Sequence, residues 1–410
     1  MKNLCYLVLL ATVMVACKES YVETYWEQVN EPVFMSESEF RSSVVVSHQA
    51  QKISNYGKIC FYEGYLFVSE SGKGIHIIDN TDPSNPKNTG FIELLGNADI
   101  SVRDNMLYAD SYIDLVWFDV SNPSEPVLKG RLEAVFPEVL PVIDNGYGYD
   151  YESCFPTDGK RQGIIVGWKL GKVKRERVIG YGMEEVMLAD KATNSGVNGS
   201  MSRFCLYGKY LYTVMNSQMQ IFYLSPEKPE KVSENIYIGD VETIFSYKDC
   251  LFLGTPTGMS IYSVKDPISP IRCSTIWHVL GCDPVVVEDD LAYVTVHSGN
   301  FCGQNNDELF VVDVSDVEKP KQLVSYAMTN PKGLGIENGI LFLCDDGLKV
   351  FNAKDPYTLV ANILTHIKGM DGYDLIPYKQ VLMMIADDGL YQYDYSNLDD
   401  IKQLSVIPIN

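Results

Sequence analysis

The stretch Leu115-Val116-Trp117-Phe118-Asp119-Val120-Ser121-Asn122-Pro123-Ser124-Glu125-Pro126 decides the fold. An apolar run of strand-forming residues ends at an aspartate and passes directly into a turn bounded by prolines. Degenerate copies follow along the chain. Residues 75–86 read IHIIDNTDPSNP, 259–270 read MSIYSVKDPISP and 309–320 read LFVVDVSDVEKP. Weaker copies are MQIFYLSPEKPE at 219–230, LKVFNAKDPYTL at 348–359 and LYQYDYSNLDDI at 390–401. A repeat of this regularity means that each unit is one supersecondary piece and that neighbouring units share a core.

Each unit has a short strand, a second strand of alternating character, a tight turn, the apolar third strand, a Pro-rich turn and a fourth strand. Asp104-Asn105, Glu63-Gly64 and Asn338-Gly339 close the first hairpin of their units with residues that tolerate positive φ. Pro after Asp or Asn suits the second position of a type I turn. The ends of the third strands fall at Asp79, Asp119, Trp168, Tyr223, Ser263, Asp313, Asn352 and Asp394, most of them about 40 residues apart. That spacing predicts an all-β chain, a β-propeller of four-stranded blades. Eight markers give eight blades, with seven as the alternative if the irregular unit at 146–182 is not a full blade.

The repeat resembles the LVIVD family, whose name matches LFVVD at 309–313 and LVWFD at 115–119. The resemblance covers roughly residues 56–405 and implies a β-propeller in a secreted or surface protein. It brings no agreed activity and no catalytic residues.

The N-terminus reads as an export signal. Lys2 precedes an apolar run from Leu4 to Ala16, too short to span a bilayer. Met14-Val15-Ala16-Cys17 resembles a bacterial lipobox, in which Cys17 is lipidated and becomes the new N-terminus. The domains expected are a signal peptide at 1–16, an acidic tether at 17–43 and one propeller at 44–410. The resemblance places the protein on the outer membrane through its lipid, periplasmic or surface-exposed. Among the remaining cysteines, Cys60, Cys205, Cys250 and Cys344 read as small buried hydrophobes, whereas Cys273, Cys282 and Cys302 are loop-like and able to pair.

A formal charge of −21 over 410 residues excludes nucleic acid as a partner. In a four-stranded blade the turns between strands two and three and the links between blades emerge on one face. The excess lengths at 152–163, 183–200 and 297–308 all fall on such connections, which marks that face for binding. Its candidate residues are Tyr151, Glu152, Phe155, Asp158, His297, Phe301, Asp307, Asp345, Asp346, Asp387 and Asp388. Asp345-Asp346-Gly347 and Asp387-Asp388-Gly389 carry the chemistry of tight turns and lack the spaced oxygen donors of a calcium loop. His76 lies in a strand core and reads as structural. No zinc spacing, P-loop or nucleophile elbow is present, so no cofactor, metal or catalytic residue is assigned.

Two functions are compatible with these features. One is a binding or scaffolding propeller for a glycan, peptide or partner protein. The other is an exported hydrolase or lyase with its site at the channel mouth. The export reading is tested by Cys17→Ala, which should move the protein from the membrane fraction to the soluble exported fraction. A mutant that stays in the detergent phase would contradict it.

Overall fold

The computed structural model describes residues 21–54, 57–143, 145–157, 162–179, 203–225, 227–277, 284–297 and 307–409. Seven antiparallel sheets of four meandering strands, at 59–93, 100–132, 204–231, 243–277, 285–327, 334–367 and 372–408, form the blades of a propeller. Blade 1 carries an extra outer strand, Val45–Ser47, and blade 3 an extra short strand, Ile236–Tyr237. The blade count is seven, the alternative rather than the favoured eight.

The unit around Trp168 is not a blade. Its strand, Ile164–Ile179, pairs antiparallel with Tyr21–Met35, from Tyr21 opposite Ile179 to Met35 opposite Ile164, with one register shift at Val33/Phe34. The reason lies in the residues. IIVGWKL has no aspartate-proline turn after it, and the strand continues into Lys169, Lys172, Lys174, Arg175 and Arg177. In the register of that pairing Glu23 stands opposite Arg177 and Glu31 opposite Lys169, and Arg175 reaches Glu27 at 3.2 Å. The stretch expected to be an acidic tether is thus, from Tyr21 onward, one half of a long β-ribbon. It continues into a short helix, Glu37–Ser42, whose N-cap Ser36 accepts from the Glu39 amide. Phe40 of that helix is fully buried, its ring 5.9 Å from Tyr112 in blade 2. Arg41 and Arg131 both pair with the buried Asp114, at 3.1 and 2.9 Å, and lock the helix onto the blade.

The opening motif explains the repeat in atoms. The aspartate that ends the third strand accepts the amide two residues on: Thr81 on Asp79 at 3.0 Å, Ser121 on Asp119 at 3.0 Å, Ser315 on Asp313 at 2.9 Å, Ser396 on Asp394 at 2.8 Å. The side-chain hydroxyls of Thr81, Ser315 and Ser396, together with these amides, hold all four carboxyls below the usual carboxylate range, and at Asp119 the Ser121 amide leads. The residue just after the aspartate donates its own amide to the first hairpin turn of the same blade, as Val120 does to Asn105 O at 2.7 Å. The third strand is buried on both faces, and mostly apolar, because each blade is sandwiched between two others. Ile75–Ile78 and Leu115–Phe118, for example, are buried throughout.

Seven apolar clusters each join two successive blades. The last joins Met383, Ile385 and Leu390 of blade 7 to Ile59, Leu66, Val68 and Ile78 of blade 1. The first and last blades each take their four strands from one end of the chain, so no strand is exchanged across this seam. Polar latches repeat around the ring. The last residue of an inner strand reaches the first turn of the next blade: Tyr207 OH donates to Asp249 at 2.6 Å, Glu288 accepts the Asn338 amide at 2.9 Å, and Glu337 accepts the Lys379 amide at 3.0 Å. Outer-strand hydroxyls donate to carbonyls in the Pro-rich turn of the next blade: Ser274 to Val317, Tyr326 to Pro356 and Ser405 to Pro83, each at 2.6 Å.

The seam has one further device. Asn80 of blade 1 and Gln392 of blade 7 are both buried and exchange reciprocal amide bonds, Gln392 Nε2 to Asn80 Oδ1 at 2.7 Å and Asn80 Nδ2 to Gln392 Oε1 at 2.9 Å. Gln392→Ala leaves the buried Asn80 Oδ1 without its donor and Nδ2 with only the weak Met383 Sδ acceptor at 3.9 Å, which should cost about 1–3 kcal/mol. A urea unfolding midpoint unchanged by this substitution would show that the seam does not rest on the pair.

Candidate functional site

The face bearing the second-to-third turns and the blade links contains three distinct structures: the channel mouth, the acidic turns and the long insertion between blades 2 and 3. At the mouth, the residues leading into the inner strands carry alternating charge. Lys58 Nζ lies 3.2 Å from Asp99 Oδ1, and the Arg203 amide donates to Asp99 Oδ2 at 2.5 Å, so one carboxylate ties the entries of blades 1, 2 and 3 together. Burial pushes the Asp99 carboxyl up. Beside it, Asp110 accepts from the amides of Ala98 and Asp99 at 2.7 and 2.9 Å and from Asn97 Nδ2 at 3.1 Å. Burial outweighs those donors and raises Asp110 to about 7. Across the ring, Lys332 Nζ sits 2.7 Å from both oxygens of Asp371 and 4.2 Å from the centre of the Tyr373 ring.

The acidic turns are mostly occupied by their own chain. Asp345 is buried, and its Oδ1 accepts the amides of Thr329 and Asn330 at 2.9 and 2.7 Å while Lys349 holds Oδ2. It caps the link from blade 5 to blade 6 rather than facing solvent. Asp387 plays the same part for the next link, accepting the Asp371 amide at 3.1 Å. Asp346 is exposed and paired with Lys368 at 2.6 Å, which depresses its carboxyl. Asp388 accepts from Tyr391 OH at 2.8 Å. Asp346 and Gly347 have φ of 51° and 104°, and a Cβ on Gly347 would lie 2.1 Å from the Ile367 carbonyl. The DDG at 345–347 is therefore what this turn requires sterically. The face carries many acids, but Lys58, Lys332, Lys349 and Lys368 neutralise them locally.

Among the described residues two histidines are buried. His76 Nε2 lies 2.7 Å from Glu70 Oε2, with Lys73 Nζ 2.6 Å from the other oxygen and the Ser54 hydroxyl also donating to it. Burial lowers His76. Burial opposes ionisation of Glu70, but the bonds from Lys73, Ser54 and His76 outweigh it and hold the carboxyl low. Ser54 spends its proton on Glu70, so the cluster holds the turn together instead of activating a nucleophile. His297 is buried at the end of blade 5's second strand, and Asp307 is half-buried where the chain re-enters that blade.

The insertion at 133–203 emerges on a blade link of this face. The expected loops at 152–163 and 183–200 both belong to it, so the three excess lengths are two insertions, the other being the turn at 297–308 in blade 5. Phe136 plugs the interface of blades 2 and 3, 6.1 Å from Phe204 and edge-on to Phe222 at 5.8 Å. Farther on, residues 147–150 run beside the ribbon: the Asn30 amide donates to Gly148 O at 2.8 Å and the Asp150 amide to Asn30 O at 2.9 Å. This brings a row of aromatic rings together. Tyr149 stacks on Trp168 at 5.7 Å and 27°, Tyr149 lies 6.5 Å from Tyr151, and Tyr151 lies 5.0 Å from Phe155. Trp168 is fixed by its Nε1, which donates to the Pro141 carbonyl at 2.9 Å. Tyr151 is 62% exposed at the start of the short helix Tyr151–Cys154, and Glu152 is exposed beside it. Tyr151 and Phe155 are thus brought together with Tyr149 and Trp168. Neither partner was singled out from the sequence, although a tryptophan in the one unit that broke the repeat was a visible signal.

Asp158, Phe301 and the lipidation candidate Cys17 lie outside the described residues, as do Cys282 and Cys302. Cys273 is a free thiol in the outer strand of blade 4, not in a loop. Among the described residues no group of three or more His, Cys, Asp or Glu side chains is placed to hold a metal ion.

A model of the LVIVD repeat matches residues 56–91 and 96–133, which are the first two blades with their entries. The chain carries LVIVD repeats and they fold as propeller blades. No curated protein sequence matches the chain. Among solved structures it is similar to the computationally designed Ika8 protein, with a TM-score of 0.49 and 8% identity over 88% of this chain and 89% of that one. It is also similar to Hsv2 of Kluyveromyces lactis, with a TM-score of 0.48 and 11% identity over 87% of this chain and 99% of that one. These likenesses say nothing about what the chain binds.

Proposed function

We propose that this protein is an exported, Cys17-lipidated binding propeller whose insertion face takes a glycan on the aromatic shelf of Tyr149, Tyr151, Phe155 and Trp168. The stacked Tyr149–Trp168 pair carries this reading. Aromatic faces offer broad, rigid, amphipathic contact area at little entropic cost, which suits the apolar C–H faces of sugar rings. Tyr147, 42% exposed, and Glu152 extend the shelf with polar groups. A basic partner is a poorer match, because Asp99, Asp110, Asp345, Asp346, Asp371 and Asp387 already have cationic or amide partners. The lipid would hold the propeller at the outer membrane, where extracellular or periplasmic glycans are available.

The test is a glycan array with the exported Cys17→Ala form, followed by titration of the best hit. Tyr151→Ala and Phe155→Ala should weaken binding by about tenfold or more, a loss of at least ~1.4 kcal/mol. Tyr151→Ala should leave the unfolding midpoint nearly unchanged, since that ring is exposed. Binding indifferent to both substitutions would remove the shelf as the site.

A further inference from the structure

The aromatic shelf occupies only part of the ribbon. Among the described residues, Ile164–Ile179 pairs with another strand along one edge only, Tyr21–Met35, and outside that pairing only the Val166 carbonyl of its backbone is engaged, by the Tyr112 hydroxyl at 3.5 Å. An edge of a 16-residue strand left without a strand partner among the described residues presents a row of N–H and C=O groups, a template for another extended segment. Its composition says which kind. Lys169, Lys172, Lys174, Arg175 and Arg177 stand against the single acid Glu176, inside a chain whose formal charge is −21. Arg175 is engaged by Glu27 and Asp150, at 3.2 and 3.1 Å. Lys172 and Lys174 are exposed and make no ion pair among the described residues.

The chain already demonstrates the pairing. The edge of this basic strand that is occupied holds an extended segment with Glu23, Glu27 and Glu31. We propose that the other edge of Ile164–Ile179 captures an extended acidic segment of a partner protein as a third strand. Backbone bonds would supply the affinity and the lysines the selection, because opposite charges across a strand pair attract and like charges repel. The same rule excludes a second copy of this edge, which is equally basic. It also excludes the acidic edge of a second copy, since Asn30 at the centre of that edge already bonds Gly148 and Asp150. The inference is independent of glycan binding, which uses the rings and not the strand edge.

The experiment uses the full exported chain carrying Cys17→Ala and a short fluorescent peptide that alternates Glu with Val and Thr, beside its Lys counterpart. The Glu peptide should bind saturably at low salt and slow hydrogen exchange of amides within 164–179. Raising the salt should weaken it. Lys172→Glu with Lys174→Glu should weaken it about tenfold or more, with the Gln pair between, in keeping with two cross-strand charge pairs reversed. Equal binding of Glu and Lys peptides would overturn the proposal. So would binding that ignores both salt and the reversal, the salt series on the unsubstituted lysines covering the case of a variant that fails to fold. Exchange within 164–179 already slow along both edges in the free chain would overturn it too, the occupant then being residues 180–202 or a second copy.

Discussion

The ring holds because blade 7 packs face to face on blade 1 without exchanging a strand. Everything else in the propeller depends on that contact, since an open ring would expose one apolar blade face at each end. Ile59, Leu66, Val68 and Ile78 on one side and Met383, Ile385 and Leu390 on the other do at the seam what six other clusters do between sequential blades. To that packing the seam adds a buried amide pair, Asn80–Gln392, and the hydroxyl of Ser405 on the Pro83 carbonyl. An amide pair of that kind is directional, so it fixes the register of two apolar surfaces that area alone would let slide.

The division of labour follows from this closure. The blades are sandwiched on both faces and latched top and bottom, which leaves little of them free to recognise anything. The insertion after blade 2 escapes the constraint: it is anchored by Phe136 and, through the N-terminal strand, by the helix Glu37–Ser42, and beyond those anchors it builds a two-stranded frame with Tyr21–Met35. The rings gathered at Tyr149–Trp168 stand on that frame, held by an indole hydrogen bond and by residues 147–150 lying against the ribbon. A rigid shelf on an independent element is what a binding site needs, and the ring supplies the fixed base.

Much of the fold was legible because the repeat is local. An apolar run, an aspartate that caps the following turn and a proline are all within reach of one another, and Asp79, Asp119, Asp313 and Asp394 repeat the same geometry. The blade count failed where locality failed. Trp168 sits in an apolar stretch like a third strand, but the strand runs on to 16 residues and its partner lies far away at Tyr21–Met35, and pairing between distant segments leaves no periodic trace. Two clues were present: the missing Pro turn after IIVGWKL, and a basic cluster matched by an acidic N-terminal stretch. The site was less legible for a different reason. A sequence shows that Asp345 is acidic, not that its oxygens are turned inward onto the amides of Thr329 and Asn330. It likewise marked 152–163 as a turn between the second and third strands of a blade, whereas Tyr151 and Phe155 lie on the link between blades 2 and 3, where Tyr149 and Trp168 join them.

The central claim is that seven blades form one cooperative ring closed by packing across blades 7 and 1. Native-state hydrogen exchange, followed by mass spectrometry with increasing denaturant, addresses it directly. Amides in Leu66–Val68 of blade 1 and in Met383–Ile385 of blade 7 should open together, at the free energy of global unfolding. If blade 7 opened at a clearly lower free energy while blade 1 stayed protected, the seam would not be what holds the ring, and the account would be wrong.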